Sequence, residues 1–282
     1  MSKIPPSRVY LLDKPPGISS FAALGELKRR IGTKKVGHAG TLDPFASGLL
    51  IALSGKMTRA AFLAEGLPKE YEAIFRFGEE TDTLDTEGKV IAAAAVPEYE
   101  TIADAASLFR GEIKQVPPVY SAIKVKGKRA YQSARQGQTV ELPPRGVFIH
   151  TFEILSWQPP DLAVRIKCSK GTYIRSIARD MGIACGSRAH CLRLCRTAID
   201  PFRVDEAAEN GIAPRDFFHR IGIVEYSADS KTASALREGK PPEETTVHYP
   251  PLAEILFVTD EHGEETALLT RQNGHWRYRI VF

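Results

Sequence analysis

GHAGTLDPFASGLL, residues 37–50, sets one acidic residue, Asp43, between a turn of small residues and a rising apolar run. Gly37, Gly40 and Gly48 let a backbone pass close to a neighbour or take a positive φ. The run LLIALSG, from Leu49, is a short apolar stretch of the kind that forms a buried strand. A glycine-rich loop therefore delivers Asp43 directly into a strand. A turn aspartate holding its loop is the plain reading of this carboxylate. The chemical reading is a carboxylate that a substrate backbone must approach closely. Lys34 and Lys35 lead into the loop and His38 lies on it. A carboxylate in so basic a setting ionises readily unless it is buried. If it is buried it needs a cationic partner, and arginine suits, because it stays charged and grips a carboxylate with two hydrogen bonds. Arg175 and Arg179 are both available, and periodicity does not choose between them.

Outward from the loop, RVYLLDK reads as a strand, Lys-Pro-Pro-Gly as a turn and the following serines as helix caps. FAALGELKRRIG has helical spacing, with Gly32 as a stop. KEYEAIFRFG alternates Tyr71, Ala73, Phe75 and Phe77, as a half-buried strand does. TDTLDTEG is a turn-rich acidic loop. TIADAASLFRG is a helix, and PPVYSAIKVKGKRAYQSARQGQ a strand, a glycine turn and a helix. GVFIHTFEILSW and DLAVRIKCSKG are strands flanking a Pro-Pro loop, and TYIRSIARDMGIACG is a helix with Tyr173 in its first turn. Strands outnumber helices and are joined mainly by loops. The expectation is an α+β fold: a mixed, largely antiparallel sheet flanked by helices, with a small C-terminal β domain. The composition shifts near 216–226, which divides the chain into 1–225 and 226–282.

The chain has 282 residues and a net charge of +4, unevenly spread. Val204–Glu265 carries fourteen acids against five bases, so the first 203 residues hold a strong positive excess. Leu27–Leu42 has five Lys or Arg and no acid, and Arg165–Arg196 has eight against Asp180 alone. Two concentrated basic stretches point to a polyanion face. No apolar run is long enough to span a bilayer and no signal peptide is legible, so a cytoplasmic protein with reduced thiols and no membrane contact is expected. No dinucleotide fingerprint, Walker loop or HExxH is present. Cys191 and Cys195 beside His190 are the nearest approach to a metal pattern, and buried thiols are the better reading.

KVGHAGTLDPFASGLL, KEYEAIFRFGEETDTLDTEG, PPVYSAIKVKGKRAYQSARQG and CSKGTYIRSIARDMG resemble, in order and spacing, the bacterial tRNA pseudouridine-55 synthase (TruB) family. DKPPGISS resembles its KPxGxxS element, and the likeness runs over about residues 8–203. LREGKPP and the strands after it resemble, more weakly, the family's PUA-type RNA-binding domain. The resemblance implies a pseudouridine-synthase fold, a PUA-like C-terminal domain and isomerisation of uridine 55 in the tRNA T-loop by base flipping. It makes Asp43 the catalytic aspartate, Tyr71 the tyrosine that stacks on the base and Arg175 the partner of the carboxylate. His38 matches the histidine associated with flipping. Tyr173 and Lys14 match pocket-lining residues, and Leu194 lies in the segment matching LRRT. Cys195 stands there for an arginine, and Asp200 for a usual glycine. The implied partner is the T-arm of tRNA, with no cofactor, metal or protein partner required and a monomer expected. An RNA chaperone that flips bases without chemistry is the alternative, and only the enzyme needs Asp43.

Overall fold

The computed structural model describes residues 7–121, 124–125, 128–129, 142–240 and 253–282. Its elements begin with β1 (Val9–Lys14), α1 (Ser20–Arg30), β2 (Val36–Ala39), β3 (Ser47–Ser54), α2 (Ala61–Gly66) and β4 (Lys69–Phe77). Then come β5 (Glu79–Thr81), β6 (Val90–Ala93), α3 (Tyr99–Ala106), β7 (Gly111–Gln115), β8 (Lys124–Val125) and β9 (Lys128–Arg129). β10 (Arg145–Gln158), β11 (Asp161–Cys168), α4 (Ile174–Ala184), β12 (Ala189–Ile199) and β13 (Phe202–Arg203) follow. The last are α5 (Pro214–Arg220), β14 (Val224–Ala228), α6 (Ser230–Arg237), β15 (Ile255–Asp260), β16 (Glu265–Gln272) and β17 (His275–Val281).

The main sheet runs β1-β3-β12-β4-β11-β10-β7, with β2 also on β3 and β13 on β12. All its ladders are antiparallel except a short parallel pairing of β12 with β3. This is the mixed, largely antiparallel sheet expected. Alternation decides its faces. Lys69, Tyr71, Ala73, Phe75 and Phe77 of β4 are buried on one side. They meet Leu162, Val164 and Ile166 of β11 and the apolar stripe Ile174, Ile177, Ala178 and Met181 of α4. The intervening residues of β4 and β11 carry ion pairs, among them Arg76–Asp161 at 2.8 Å and Arg165–Glu72 at 2.8 Å.

A second sheet, β14-β15-β16-β17, forms the small C-terminal β unit. Its first strand starts at Val224, so the boundary expected between residues 225 and 226 falls inside β14. Its Phe257, Leu268 and Ile280 join a core with Phe217 and Phe218 of α5, Phe202 of β13 and Val9 and Ile51 of the main sheet. Phe202 and Phe217 stack at 5.5 Å. Among the described residues no helix is long and apolar enough to cross a membrane.

The sequence reading missed β12, which lies inside the sheet between β3 and β4. Two bulges, between Cys191 and Arg193 and between Arg196 and Ala198, break its alternation. The helix expected after Gly127, and the prolines of LREGKPP, lie outside the described residues.

β3 places the Asp43 loop. One edge of β3 pairs with β1 along its length. The other edge is shared, by β2 opposite Ile51–Ser54 and by β12 opposite Ser47 and Gly48. The loop between β2 and β3 leaves the sheet at this fork. Gly48, at φ +100°, makes the close approach possible, since a Cβ there would lie 2.3 Å from the Arg196 carbonyl oxygen. Gly48→Ala should therefore cost at least about 2 kcal/mol in urea unfolding. Gly66→Ala is the control, because a Cβ there meets nothing and its φ is not positive. It should leave stability within about 1 kcal/mol.

Candidate active site

The Asp43 loop is fastened from below. Ser20, in the first turn of α1, uses one hydroxyl twice: it donates to the Leu42 carbonyl at 3.0 Å and accepts from the Leu42 N–H at 2.8 Å. Lys14 is fully buried at the end of β1. Its ammonium donates to the carbonyls of Ile18 (2.8 Å), Pro15 (2.9 Å) and Pro44 (3.2 Å). Lys14 thus ties the Pro-Pro-Gly turn to the residue after Asp43. Expected to line the pocket, it borders neither cavity at Asp43, because its three donors are spent on the backbone beneath the loop.

Arg175 reaches Asp43 from the first turn of α4, with Nε 2.9 Å from Oδ2. The guanidinium is 3% exposed, and its other nitrogens are committed too. Nη1 donates to the Thr83 carbonyl at 2.7 Å and to Asp85 Oδ2 at 3.1 Å; Nη2 donates to the Tyr120 carbonyl at 3.0 Å. The two candidate partners are thereby separated: Arg179 pairs with Asp180 instead. Asp85 is itself held, accepting from Thr83 Oγ1 at 2.6 Å and the Glu87 N–H at 3.0 Å.

Asp85 was not among the site residues expected from sequence. Its stretch, TDTLDTEG, reads as a solvated acidic turn. In the fold Asp85 is 3% exposed, because Leu84 and Asp85 dock on Cys191 of β12. Nothing local to that turn signals the burial of Asp85.

Burial pushes the Asp43 carboxyl above its ordinary value; Arg175 pulls it down and the Asp85 carboxylate raises it again. One guanidinium shared between two carboxylates does not fully offset the desolvation of Asp43. The Asp43 side chain is nonetheless 35% exposed, because one side opens into cavities.

Two cavities meet at Asp43. The first, about 560 Å³, is walled by Tyr71, Leu194, Tyr173, Lys69 and Arg196, with Arg145 and Lys170 bringing positive charge to its lining. The second, about 1050 Å³, is bordered by His38, Phe21, Thr83, Asp85 and Lys89. Tyr71 is buried in β4, and burial raises its phenol pKa while the Arg196 guanidinium beside it works the other way. Arg196, also unassigned from sequence, is 1% exposed and donates to the carbonyls of Leu49 (2.7 Å) and Gly40 (3.0 Å). It braces the glycine loop against β3 and keeps a positive charge behind Tyr71. Burial and Arg196 both push the His38 pKa down, so its ring is neutral near pH 7. Its Nδ1 is shielded from solvent and unbonded. Burial lowers Lys69 to about 8, and its ammonium donates to the carbonyls of Glu65 and Leu67, each at 2.6 Å, closing α2. Tyr173 precedes α4 and is pinned by Gln115, which accepts its N–H at 2.8 Å and donates to its carbonyl at 3.1 Å.

Six of the seven expected site residues, all but Lys14, therefore border one or both cavities. The departures from the family pattern sit away from them. Cys195 lines a separate cavity with Ser47 and Glu72, and Asp200 pairs with Lys167 at 2.6 Å. No cluster of His, Cys, Asp and Glu among the described residues is arranged to hold a metal.

Asp85→Asn keeps the shape but leaves a buried guanidinium short of one charge. It should cost about 3 kcal/mol in urea unfolding, a figure typical of breaking a buried ion pair. Asp180→Asn, at the more exposed pair with Arg179, should cost less than about 1 kcal/mol.

This geometry has known relatives. The family described as TruB family pseudouridylate synthase, N-terminal domain, matches residues 28–174. The chain is 44% identical over 203 residues to tRNA pseudouridine synthase B of Bordetella avium, covering 71% of this chain and 83% of that protein. It is 40% identical over 302 aligned positions to tRNA pseudouridine synthase B of an Arthrobacter species, covering 98% and 96%. Among solved structures, it is similar to a chain of a Cbf5-Nop10-Gar1 complex, with a TM-score of 0.66, 25% identity and 95% of this chain against 79% of that one covered. An antiparallel-rich sheet, an aspartate loop at its fork and a buried arginine on that aspartate thus meet a family match over half the chain and relatives spanning nearly all of it: the chain belongs to the TruB family of pseudouridine synthases.

Proposed function

We propose that the chain isomerises uridine 55 in the T-loop of tRNA to pseudouridine, with Asp43 as the catalytic carboxylate and base flipping as the route of entry. One observation carries the reading: Asp43 opens into a cavity beside Tyr71 while a buried Arg175 holds it from behind. Its relatives' names supply the tRNA substrate.

The chemistry suits the residues. Pseudouridylation detaches uracil from C1′, turns it and rejoins it through C5. The product is an isomer, so no oxidant, second substrate or cofactor is called for. Cleaving a glycosidic bond calls for a carboxylate at the sugar, as in sugar hydrolases. Tyr71 and Leu194 offer the freed base a stacking face and an apolar one, and such stacking is worth about 1–3 kcal/mol per base. Tyr71, its pKa raised by burial, stays a neutral phenol during this step. Tyr173 closes the same cavity. A base stacked in an RNA loop costs a few kcal/mol to extrude. Neutral His38, on the wall of the second cavity, is placed to fill the space the base leaves. Arg145 and Lys170 suit the phosphates, so recognition rests on backbone and loop shape. We read residues 226–282 as a PUA-like unit that extends RNA contact, and the protein as a cytoplasmic monomer acting without a protein partner.

The test is a single-nucleotide pseudouridine map of an unmodified tRNA transcript. Wild-type protein should convert the T-loop uridine alone. Asp43→Asn should bind the transcript and convert none of it. Tight binding without conversion by the wild type would sink the enzymatic reading for this RNA and favour a chaperone.

The pH dependence follows from the raised Asp43 pKa. The reactive form is the carboxylate, so single-turnover rates should fall as pH drops through a pKa above the ordinary aspartate value. Asp85→Asn removes the charge that raises Asp43, so this acid limb should move to lower pH.

A further inference from the structure

The two cavities share a wall made by Thr41, Leu42, Asp43, Ser121 and Arg175. On the reading above, the base lies in the first cavity against Tyr71, and the place it vacates lies by His38 at the second. The ribose of that base then lies at this wall. Most of its polar groups are spent. Asp43 and Arg175 hold each other, and Leu42 gives both its backbone groups to Ser20. Thr41 is exposed to solvent.

Ser121 differs. It is 5% exposed, and its Oγ is shielded from solvent without any hydrogen-bond partner. Buried hydroxyls are normally bonded, so an unbonded one in a residue of the cavity wall has hydrogen-bonding capacity that a turn of its side chain would offer to a ligand. Its position is fixed: its N–H donates to the Val119 carbonyl at 2.9 Å, and the preceding residue, Tyr120, holds Arg175. Tyr173 stands beside it: burial raises the phenol's pKa and the neighbouring Ser121 hydroxyl works the other way, with the pair short of full hydrogen-bond geometry.

We propose that Ser121 binds the ribose 2′-hydroxyl of the target nucleotide, and that this contact makes the site select a ribonucleotide over a deoxyribonucleotide. A serine hydroxyl offers one donor and two acceptor lone pairs, which matches a 2′-hydroxyl that both donates and accepts. The group lies on the carbon next to C1′, and Ser121 lies on the same wall as Asp43. The proposal rests on the functional reading above, since it needs the base in the first cavity and its ribose at that wall. Ser121 acts here as a positioning and specificity residue.

The experiment uses the full chain and a T-arm stem–loop RNA carrying either uridine or 2′-deoxyuridine at the target. Dissociation constants are measured for wild type and Ser121→Ala. Wild type should bind the uridine RNA roughly 3- to 10-fold more tightly, the range for one hydrogen bond. Ser121→Ala should lose that preference by weakening on the uridine RNA alone, with an unchanged or higher melting temperature, because it removes an unbonded buried hydroxyl. No preference in the wild type overturns the proposal. So does a preference that survives in Ser121→Ala, or an equal loss on both RNAs with a lowered melting temperature, which marks a packing role. Conversion of the uridine RNA by the wild type, followed in the same samples, tests the functional reading separately. If it fails while the Ser121-dependent preference holds, the reaction is wrong and the contact stands.

Discussion

A guanidinium buried to 3% exposure organises this protein. An arginine cannot shed its charge, so burying it obliges the fold to supply anions and carbonyl oxygens around it. Arg175 draws these from three separate stretches: Asp43 before β3, Thr83 and Asp85 after β5, and Tyr120 after β7. None of these is near it in sequence. The charge that the helix cannot discharge into water thus assembles the walls of the site, and sets Asp43 between attraction to Arg175 and repulsion from Asp85.

The sheet makes that burial possible. The fork on β3, where β2 and β12 share one edge, releases the Asp43 loop toward α4. Arg196 and Lys14 reinforce it from inside, each spending its donors on backbone carbonyls that no strand ladder reaches. Such loop carbonyls would be costly if left bare in the interior. Lys14, Arg175 and Arg196 therefore divide their work: Lys14 and Arg196 hold backbone carbonyls, and Arg175 holds Asp43 as well. The wall of the first cavity opposite Asp43 takes Tyr71 and Leu194 from β4 and β12, which pair with each other.

Much of this is visible in the chain itself, for local reasons. Alternation in Lys69–Phe77 marks a half-buried strand, and the apolar stripe of α4 joins the core on its buried face. Glycines 37, 40 and 48 mark a close approach, and Gly48 makes one. The order and spacing of the family motifs point to Asp43, Tyr71 and Arg175 before any contact is known. β12 escaped notice because its bulges disrupt the period that identifies a strand, and Asp85 because an acidic turn gives no sign that it will be buried.

Sequence by itself determined the element types, the family and the residue types at the site, since propensity, periodicity and motif spacing are properties of neighbouring residues. Tertiary structure alone decided which charges meet. It brought Asp85 onto the far side of Arg175, sent Arg179 to Asp180, turned Lys14 from a pocket wall into a brace and left the Ser121 hydroxyl unbonded at the wall of two cavities. The physical reason is that the energy of a charge or hydroxyl depends on burial and on partners within a few ångströms, and those partners lie tens of residues away along the chain.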